Sequence, residues 1–185
     1  VEACARKGVR AVCVVSAGFR EVGGAGVAAQ EVLAATCREQ GMRLLGPNCM
    51  GLLNAEPDVR MNATFATTFP RPGHVSFMSQ SGAMGVAVLD LAEDIGLGMR
   101  MFASLGNKAD VSGNDLLTYW EHDPGTHVAL VYLEDFGNPR KFIPIARRFT
   151  RKKPIVCVKA GRTAEGGRAA ASHTGALASS DAAVD

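Results

Sequence analysis

The chain lacks a strong excess of charge of either sign. Its 185 residues include 20 Lys and Arg against 18 Asp and Glu, a formal net charge of +2 at pH 7. Nucleic-acid binders and membrane-surface proteins usually carry a clear basic excess, so this balance favours neither partner. The length allows one large domain or two small ones, and 47% hydrophobic with 21% charged residues is typical of a soluble globular protein.

Paired cysteines and long apolar runs are also missing. Five cysteines are scattered without a CxxC pair, and Cys13 and Cys157 lie inside apolar, strand-like runs. We therefore predict reduced thiols in a cytoplasmic protein, without a metal site. No apolar run of about 18 residues is present, so no membrane span is expected. No signal peptide is visible either.

The first part of the chain alternates helices and short strands. Residues 10–15 (RAVCVV) form an apolar run that predicts a buried strand. Residues 26–40 carry apolar side chains at helical spacing, and Gly41 ends that helix. Residues 42–45 (MRLL) predict another strand. We interpret residues 1–55 as the end of an open α/β sheet.

A polar stretch follows this first part. Residues 56–73 contain three prolines and little regular pattern, so we place a linker there. A second domain is predicted over residues 74–185. The chain begins at Val1 rather than Met and ends at Asp185 within a helix-like run, so we expect it to belong to a longer protein.

Strands and helices alternate regularly in the second domain. The predicted strands are 74–78, 99–104, 127–133 and 154–159, and the predicted helices lie near 82–95, 112–122 and 139–151. This alternation implies a parallel sheet covered on both faces. Ligands of such sheets bind beyond the carboxyl ends of the strands. The loops at those ends are SQSGAMG, SLGNKAD, LEDFGNP and KAGRTAEGGRAAASHTG.

The turn after strand 74–78 is the first candidate site. It reads Ser79-Gln80-Ser81-Gly82. Small residues at a strand-to-helix turn leave backbone N–H groups free at the helix N-terminus, which is a cradle for phosphate. Serine is also a preferred helix cap without any ligand, so capping is the alternative interpretation.

Two titratable side chains in other loops are further candidates. An imidazole at His173, facing a helix N-terminus, could accept a phosphoryl group; the alternative is an exposed loop histidine. Glu134, just past the run VALVYL, could hold the other ring nitrogen and fix the tautomer. The alternative is a surface acid near a turn, and Asp135 beside it leaves the choice open.

The loop GPNCMG, residues 46–51, follows strand 42–45. Pro47 and the two glycines indicate a tight turn that could lie against a ligand. Cys49 is a candidate nucleophile, but no base is evident nearby. A small packing thiol is equally consistent with the sequence.

Four segments together resemble the NDP-forming acyl-CoA synthetase family, which includes the α subunit of succinyl-CoA synthetase. They are GPNCMGLLN, GHVSFMSQSGAMG, VYLEDFGN and VKAGRTAEGGRAAASHTGALA, in that order, and the resemblance covers nearly the whole chain. It is strongest to the single-chain acetyl-CoA synthetase (ADP-forming) type and to protein acetyltransferases with the same domains fused to a GNAT domain. The implied fold is α/β. It comprises the C-terminal part of a Rossmann-like CoA-binding domain (1–55), a linker (56–73) and a flavodoxin-like, succinyl-CoA-ligase-like parallel-sheet domain (74–185).

The resemblance also implies a mechanism. Acyl-CoA and phosphate give an acyl phosphate and free CoA, the acyl phosphate phosphorylates a histidine on a mobile loop, and an ATP-grasp domain passes the phosphoryl group to ADP. His173 would be the phosphorylated residue, and Glu134 would orient it. Phosphate contacts are implied for Ser79, Gln80, Ser81, Gly82, Thr174 and Gly175, and CoA contacts for Pro47, Asn48 and Cys49.

The resemblance implies coenzyme A, phosphate, and ADP or ATP with Mg²⁺ as cofactors and substrates. The nucleotide and Mg²⁺ would be held by an ATP-grasp domain or subunit, and the enzyme would be a homo- or hetero-oligomer. Residues 1–185 contain neither an ATP-grasp sequence nor the glycine-rich turn for the CoA phosphates, so we expect no complete turnover from this stretch alone. Two alternatives stay open: a regulatory, acyl-CoA-sensing domain of a GNAT-type protein lysine acetyltransferase, and a structural α/β domain used for dimer contacts. His173 together with Glu134 favours the enzyme.

Overall fold

The computed structural model describes residues 1–161. In this part the helices are α1 (Glu2–Arg6), α2 (Ala25–Glu39), α3 (Gly82–Asp94), α4 (Gly113–His122) and α5 (Pro139–Thr150), with a short 3-10 helix at Arg20–Val22. The strands are β1 (Ala11–Cys13), β2 (Arg43–Leu45), β3 (Gly51–Asn54), β4 (Met61–Thr64), β5 (Pro72–Ser79), β6 (Met99–Ser104), β7 (Val128–Leu133) and β8 (Ile155–Lys159). The predicted elements within these residues are present, close to their predicted boundaries. The prediction of a buried strand at 10–15 is wrong, because the residues of β1 are exposed or half-buried in its two-stranded sheet.

Four parallel strands form the main part of a six-stranded sheet. The strand order is β4-β3-β6-β5-β7-β8, and β5 pairs in parallel with both β6 and β7, while β7 pairs in parallel with β8. The predicted parallel sheet is therefore confirmed. Because parallel neighbours need a crossover connection, the helices α3, α4 and α5 lie between successive strands and cover the sheet.

Two antiparallel strands, which the sequence pattern does not predict, extend the sheet beyond β6. β3 pairs with β6, and β4 pairs with β3, both antiparallel. Residues 61–64 are thus a strand rather than irregular linker. An uncovered β6 would expose unpaired N–H and C=O groups, and β3 satisfies them. A four-residue, largely exposed strand such as β4 leaves little periodic signal in a sequence. The division at residues 55 and 73 stays a prediction.

The sheet has a packed core on each face. Successive residues of β5 point to opposite sides, so Phe77 packs with α3 and Met78 packs with α4. Trp120, Phe102 and Phe149 are the largest fully buried side chains. Burying a large apolar side chain contributes about 1.5–3 kcal/mol, so these two clusters hold the strand ends at fixed positions.

The first part of the chain forms a smaller layer of its own. β1 and β2 pair in parallel as a two-stranded sheet, and α2 covers it with Cys37 against Leu44. This layer contacts the main sheet through Asp110, whose carboxylate accepts hydrogen bonds from the Arg43 Nε at 2.8 Å and the Leu44 N–H at 2.9 Å. No helix within residues 1–161 combines the length and apolarity that a membrane crossing requires.

Candidate active site

A cleft of about 550 Å³ lies where the carboxyl ends of β5, β6 and β7 meet the first part of the chain. Both parts contribute to its walls. From the first part come Val15, Arg20, Asn48, Cys49 and Met50, and from the main sheet come Gln80, Gly82, Ala83, Gly106, Asn107, Lys108 and Asp135, among others. Ligands of α/β sheets bind at this edge, so the cleft is the candidate site.

Gln80 ties the loop after β5 to the loop after β7. Its side-chain oxygen accepts hydrogen bonds from the N–H groups of Glu134 at 2.6 Å and Asp135 at 2.9 Å. Its amide nitrogen donates to the Asp135 carbonyl at 2.7 Å. Since the Gln80 side chain is only 8% exposed, water cannot easily replace these bonds. Gln80 therefore fixes the start of α3 relative to Glu134.

The two serines of the turn make local hydrogen bonds. Ser79 Oγ donates to the Ser81 carbonyl at 2.6 Å, and Ser81 Oγ accepts the Met84 N–H at 3.4 Å. Ser81 is thus the N-cap of α3, as the alternative interpretation proposed. The first N–H groups of a helix have no intrahelical acceptor, and Gly82 and Ala83 line the cleft at this helix start. Capping and phosphate binding are therefore compatible.

Glu134 is a buried side chain, so the interpretation as a surface acid is wrong. Its exposure is only 6%. Its N–H donates to Gln80, and its carbonyl accepts a hydrogen bond from Lys159 Nζ at 2.9 Å. Its neighbour Asp135 instead points into the cleft. The two adjacent acids are thus distinct, and the orienting role of Glu134 stays a prediction.

A lysine that is not among the predicted site residues, Lys108, faces Asp135. Lys108 Nζ lies 2.6 Å from Asp135 Oδ2, and the side chains are 18% and 17% exposed. Lys108 has φ +56, which non-glycine residues rarely adopt. The sequence marked its loop, SLGNKAD, as one at the carboxyl edge, but lysine is usually a surface residue. Nothing in the sequence distinguishes Lys108 from the other lysines.

The loop before β3 is attached to the loop after β6. The Pro47 carbonyl accepts the Asn107 N–H at 2.9 Å, and Asn48 Nδ2 donates to Asn107 Oδ1 at 3.2 Å. Asn107 Nδ2 also donates to Gln30 Oε1 at 2.9 Å. Asn107 thereby joins three segments and positions Asn48 and Cys49, which line the cleft, with Pro47 next to them in the chain. The role of these three residues as CoA contacts stays a prediction.

Cys49 is buried beside a second thiol, Cys13, with 3.7 Å between the sulfur atoms. A hydrogen bond from Cys49 lowers the pKa of Cys13 from its usual 9.0 to about 7. The same contact, together with burial, raises the pKa of Cys49. Cys49 is therefore a neutral thiol near pH 7, which is consistent with packing rather than with nucleophilic attack.

We expect the alkylation of Cys13 by iodoacetamide to reach half its maximal rate near pH 7, because the thiolate is the reactive form. Replacing Cys49 by Ala removes the donor, so the half-maximal pH should rise towards 9. Cys49→Ser keeps a hydroxyl donor and serves as the matched control. Peptide mass spectrometry after timed labelling measures this rate. An unchanged profile in Cys49→Ala would show that the contact does not set the pKa.

Three of the predicted site residues, His173, Thr174 and Gly175, lie outside the described residues. The structure brings together the other groups at one edge of the sheet. Ser79, Gln80, Ser81, Gly82 and Glu134 share hydrogen bonds or chain neighbours there, and Asn48 and Cys49 line the same cleft. This edge offers the N-terminus of α3 at Gly82 and Ala83, the cation of Lys108 and the buried carboxyl group of Glu134.

The chain belongs to the family described as succinyl-CoA ligase like flavodoxin domain, which matches residues 72–185. The chain is 43% identical to acetate–CoA ligase [ADP-forming] I of Archaeoglobus fulgidus over 180 residues, which is 97% of this chain and 26% of that protein. It is 41% identical to the α subunit of acetate–CoA ligase [ADP-forming] I of Pyrococcus furiosus over 181 residues, 98% of this chain and 39% of that protein.

A solved structure is also similar throughout. It is the acetyl-coenzyme A synthetase 1 of Ca. Korarchaeum cryptofilum, described as dinucleotide forming, in complex with phosphate and ADP, with a TM-score of 0.91 and 43% identity. The match covers 98% of this chain and 39% of that one. The predicted α/β fold class and flavodoxin-like domain, and the resemblance to NDP-forming acyl-CoA synthetases, are thereby confirmed. The chain spans about a quarter to two fifths of these relatives, and they give the GNAT-fused alternative no support.

Proposed function

We propose that this chain is the acyl-CoA- and phosphate-handling part of an acid–thiol ligase of the ADP-forming acetate–CoA ligase type. The observation that carries the proposal is the hydrogen bonding of Gln80, which joins the N-terminus of α3 to Glu134 beside the cleft. Relatives named as acetate–CoA ligases [ADP-forming] support it, because they are 40% or more identical across nearly the whole chain.

The reaction has three steps. A phosphate oxygen attacks the thioester carbonyl, the C–S bond breaks, and acyl phosphate and CoA thiol form. An imidazole nitrogen of His173 then attacks phosphorus, the P–O bond to the acyl group breaks, and the carboxylate leaves. In the last step an ADP oxygen takes the phosphoryl group from the imidazole to give ATP.

Each group of residues has a role in these steps. The Gly82 N–H at the start of α3 holds the phosphoryl group, since N–H groups at a helix N-terminus suit an anion. Ser79, Gln80 and Ser81 form the turn that presents it, because the Gln80 N–H donates to the Tyr132 carbonyl at 3.2 Å and the Ser81 N–H to Ser79 Oγ at 3.2 Å. Glu134 accepts a hydrogen bond from the second ring nitrogen of His173, which fixes the tautomer and strengthens the nucleophile. Thr174 and Gly175 contribute to the same phosphate site. The loop at Pro47, Asn48 and Cys49 lies against the thiol end of CoA.

The nucleotide belongs to another part of the complete enzyme. We assign ADP or ATP, with Mg²⁺, to an ATP-grasp domain or subunit, in keeping with an α-subunit relative and with a relative bound to phosphate and ADP. Within residues 1–161 no three His, Cys, Asp or Glu side chains come together as a metal site. We place the enzyme in the cytoplasm as a homo- or hetero-oligomer.

We expect the complete enzyme, incubated with acetyl-CoA and phosphate or with ATP and Mg²⁺, to gain one phosphoryl group that is labile in acid and stable in base. Intact-protein mass spectrometry measures this gain. His173→Ala should abolish it, since the nucleophilic nitrogen is gone.

His122→Ala is the matched control, because His122 is an exposed histidine in the last turn of α4, where its Nδ1 lies 2.9 Å from the Thr118 carbonyl oxygen. It should be phosphorylated like the wild type. Persistent phosphorylation of His173→Ala, or none in the wild type, would contradict the proposed mechanism.

A further inference from the structure

Lys108 occupies a central position at the candidate site. It lines the main cleft and also a second cleft of about 550 Å³ between α4 and α5, so it stands on the wall between them. Its backbone is held by the Lys108 N–H, which donates to the Leu105 carbonyl at 3.2 Å, and by the Ala109 N–H, which donates to the Gly46 carbonyl at 3.0 Å. The ammonium group is therefore placed by a well-anchored loop.

The carboxylate that faces Lys108 is equally well anchored. Asp135 Oδ1 accepts the Gly137 N–H at 2.6 Å, which leaves Oδ2 for Lys108. The Asp135 backbone is held by Gln80. An uncompensated carboxylate here would repel an anion in the cleft, and Lys108 neutralises it. An ammonium group has three donors, so it can keep Asp135 and still donate to a second anion.

The described part of the chain places few other charges in the cleft. Among residues 1–161, its ionisable lining groups are Arg20, Lys108, Asp135 and the thiol of Cys49. Lys108 and the N-terminus of α3, at Gly82, line the same cleft. A phosphoryl group held by the helix N–H groups therefore has a fixed ammonium group within the same space.

We propose that Lys108 is the side chain that binds the phosphoryl dianion of phosphate and of the acyl phosphate, with Asp135 as the residue that positions its ammonium group between turnovers. This inference rests on the proposed function, because it assumes that phosphate binds at the start of α3. It adds a charged substrate contact from the loop after β6, where the sequence and the family resemblance assigned none.

We expect Lys108→Met to raise the Kd for inorganic phosphate by about tenfold to a hundredfold, which is the range for losing a charge-assisted hydrogen bond. The KM for phosphate should rise with it, while the KM for acetyl-CoA stays within about twofold. Lys108→Arg, which keeps the charge, should recover most of the affinity. Calorimetric titration and steady-state kinetics of the complete enzyme measure these values, with phosphate and acetyl phosphate titrated separately.

Variants of Asp135 test whether Lys108 contacts the anion or only forms a structural salt bridge. Asp135→Asn keeps an Oδ1 acceptor for the Gly137 N–H and should bind phosphate at least as tightly as the wild type. Adding Asp135→Asn to Lys108→Met should recover about fivefold or more of the lost affinity, because the uncompensated carboxylate is gone. A merely structural salt bridge predicts the opposite, since both single variants would then weaken binding alike.

Lys141→Met is the matched control, because Lys141 is an exposed lysine in the first turn of α5 that does not line the main cleft. It should leave the Kd for phosphate unchanged. Two results would overturn the role of Lys108 while the proposed function stands. In the first, the wild type binds phosphate and the folded Lys108→Met variant binds it equally well. In the second, Lys108→Arg binds phosphate as weakly as Lys108→Met. If the wild type binds neither phosphate nor acetyl phosphate, the proposed function falls as well.

Discussion

Gly106→Ala is expected to destabilise the protein by about 3 kcal/mol and to lower ligase activity by about a hundredfold. Gly106 has φ +54, and an added Cβ would lie 2.2 Å from the Pro47 carbonyl oxygen and 2.5 Å from that of Asn48. Those atoms are backbone, so the two loops must separate. The left-handed conformation costs an alanine about 1–2 kcal/mol, and overpacking typically adds about 1–3 kcal/mol.

The activity loss has a separate physical cause. Pushing the loops apart moves Asn48 and Lys108 relative to each other, and a displacement of about 1 Å at a site can cost about a hundredfold in rate. Urea unfolding followed by the fluorescence of Trp120, the single tryptophan, gives the stability. Assays of the complete enzyme give the rate.

Gly41→Ala is the matched control for this experiment. Gly41 has φ +66, but an added Cβ would meet nothing within 4 Å. Gly41→Ala therefore has the conformational cost without the clash, and we expect the stability to fall by about 1–2 kcal/mol with ligase activity unchanged. Equal stabilities for the two variants would show that the two loops move apart at no energetic cost. The contact of Gly106 with the Pro47 and Asn48 carbonyl groups would then not organise the site.

Gln80→Ala should cost about 3 kcal/mol of stability and most of the phosphorylation of His173. The substitution leaves the N–H groups of Glu134 and Asp135 without their acceptor and the Asp135 carbonyl without its donor. Each buried polar group left unsatisfied costs about 1–3 kcal/mol, and water entering from the cleft offsets part of that sum. Urea unfolding and intact-protein mass spectrometry measure the two effects.

Two further variants sharpen the test of Gln80. Gln80→Glu keeps an acceptor for the two N–H groups, but it cannot donate to the Asp135 carbonyl. It also adds a charge near two acids, so we expect a loss of stability smaller than that of Gln80→Ala. Gln40→Ala, at an exposed glutamine that caps α2, should change stability by less than about 0.5 kcal/mol. If Gln80→Ala is as stable as Gln40→Ala, the bridge between the two loops does not organise the site.

The local pattern of the chain predicts most of its helices and strands. The apolar runs at 99–104 and 128–133 are strands whose side chains are buried or half-buried, and the segments that follow them are helices that cover the sheet. This succeeds because a strand buried on both faces needs continuous apolar side chains, whatever its neighbours are. The order of β-strand and helix also fixes the carboxyl edge, so the loops of the site follow from sequence alone.

The pairing of β3 and β4 does not follow from such patterns. β3 is defined by the free edge of β6, which lies some fifty residues further along the chain, and β4 in turn pairs with β3. Hydrogen bonds between distant segments leave no periodic trace in either segment. The stretch at 56–73, rich in proline and polar residues, therefore predicts a linker, although part of it completes the sheet.

The sequence by itself determined the fold class, the family, and the loops that carry the chemistry, because these depend on periodicity and on the order of short motifs. Only the tertiary structure decided what the side chains at that edge do. It made Gln80 a bridge to the loop after β7, buried Glu134, and set Lys108 against Asp135. Glutamine, glutamate and lysine are usually surface residues. Here burial and a fixed partner set the position and the hydrogen bonds of each side chain.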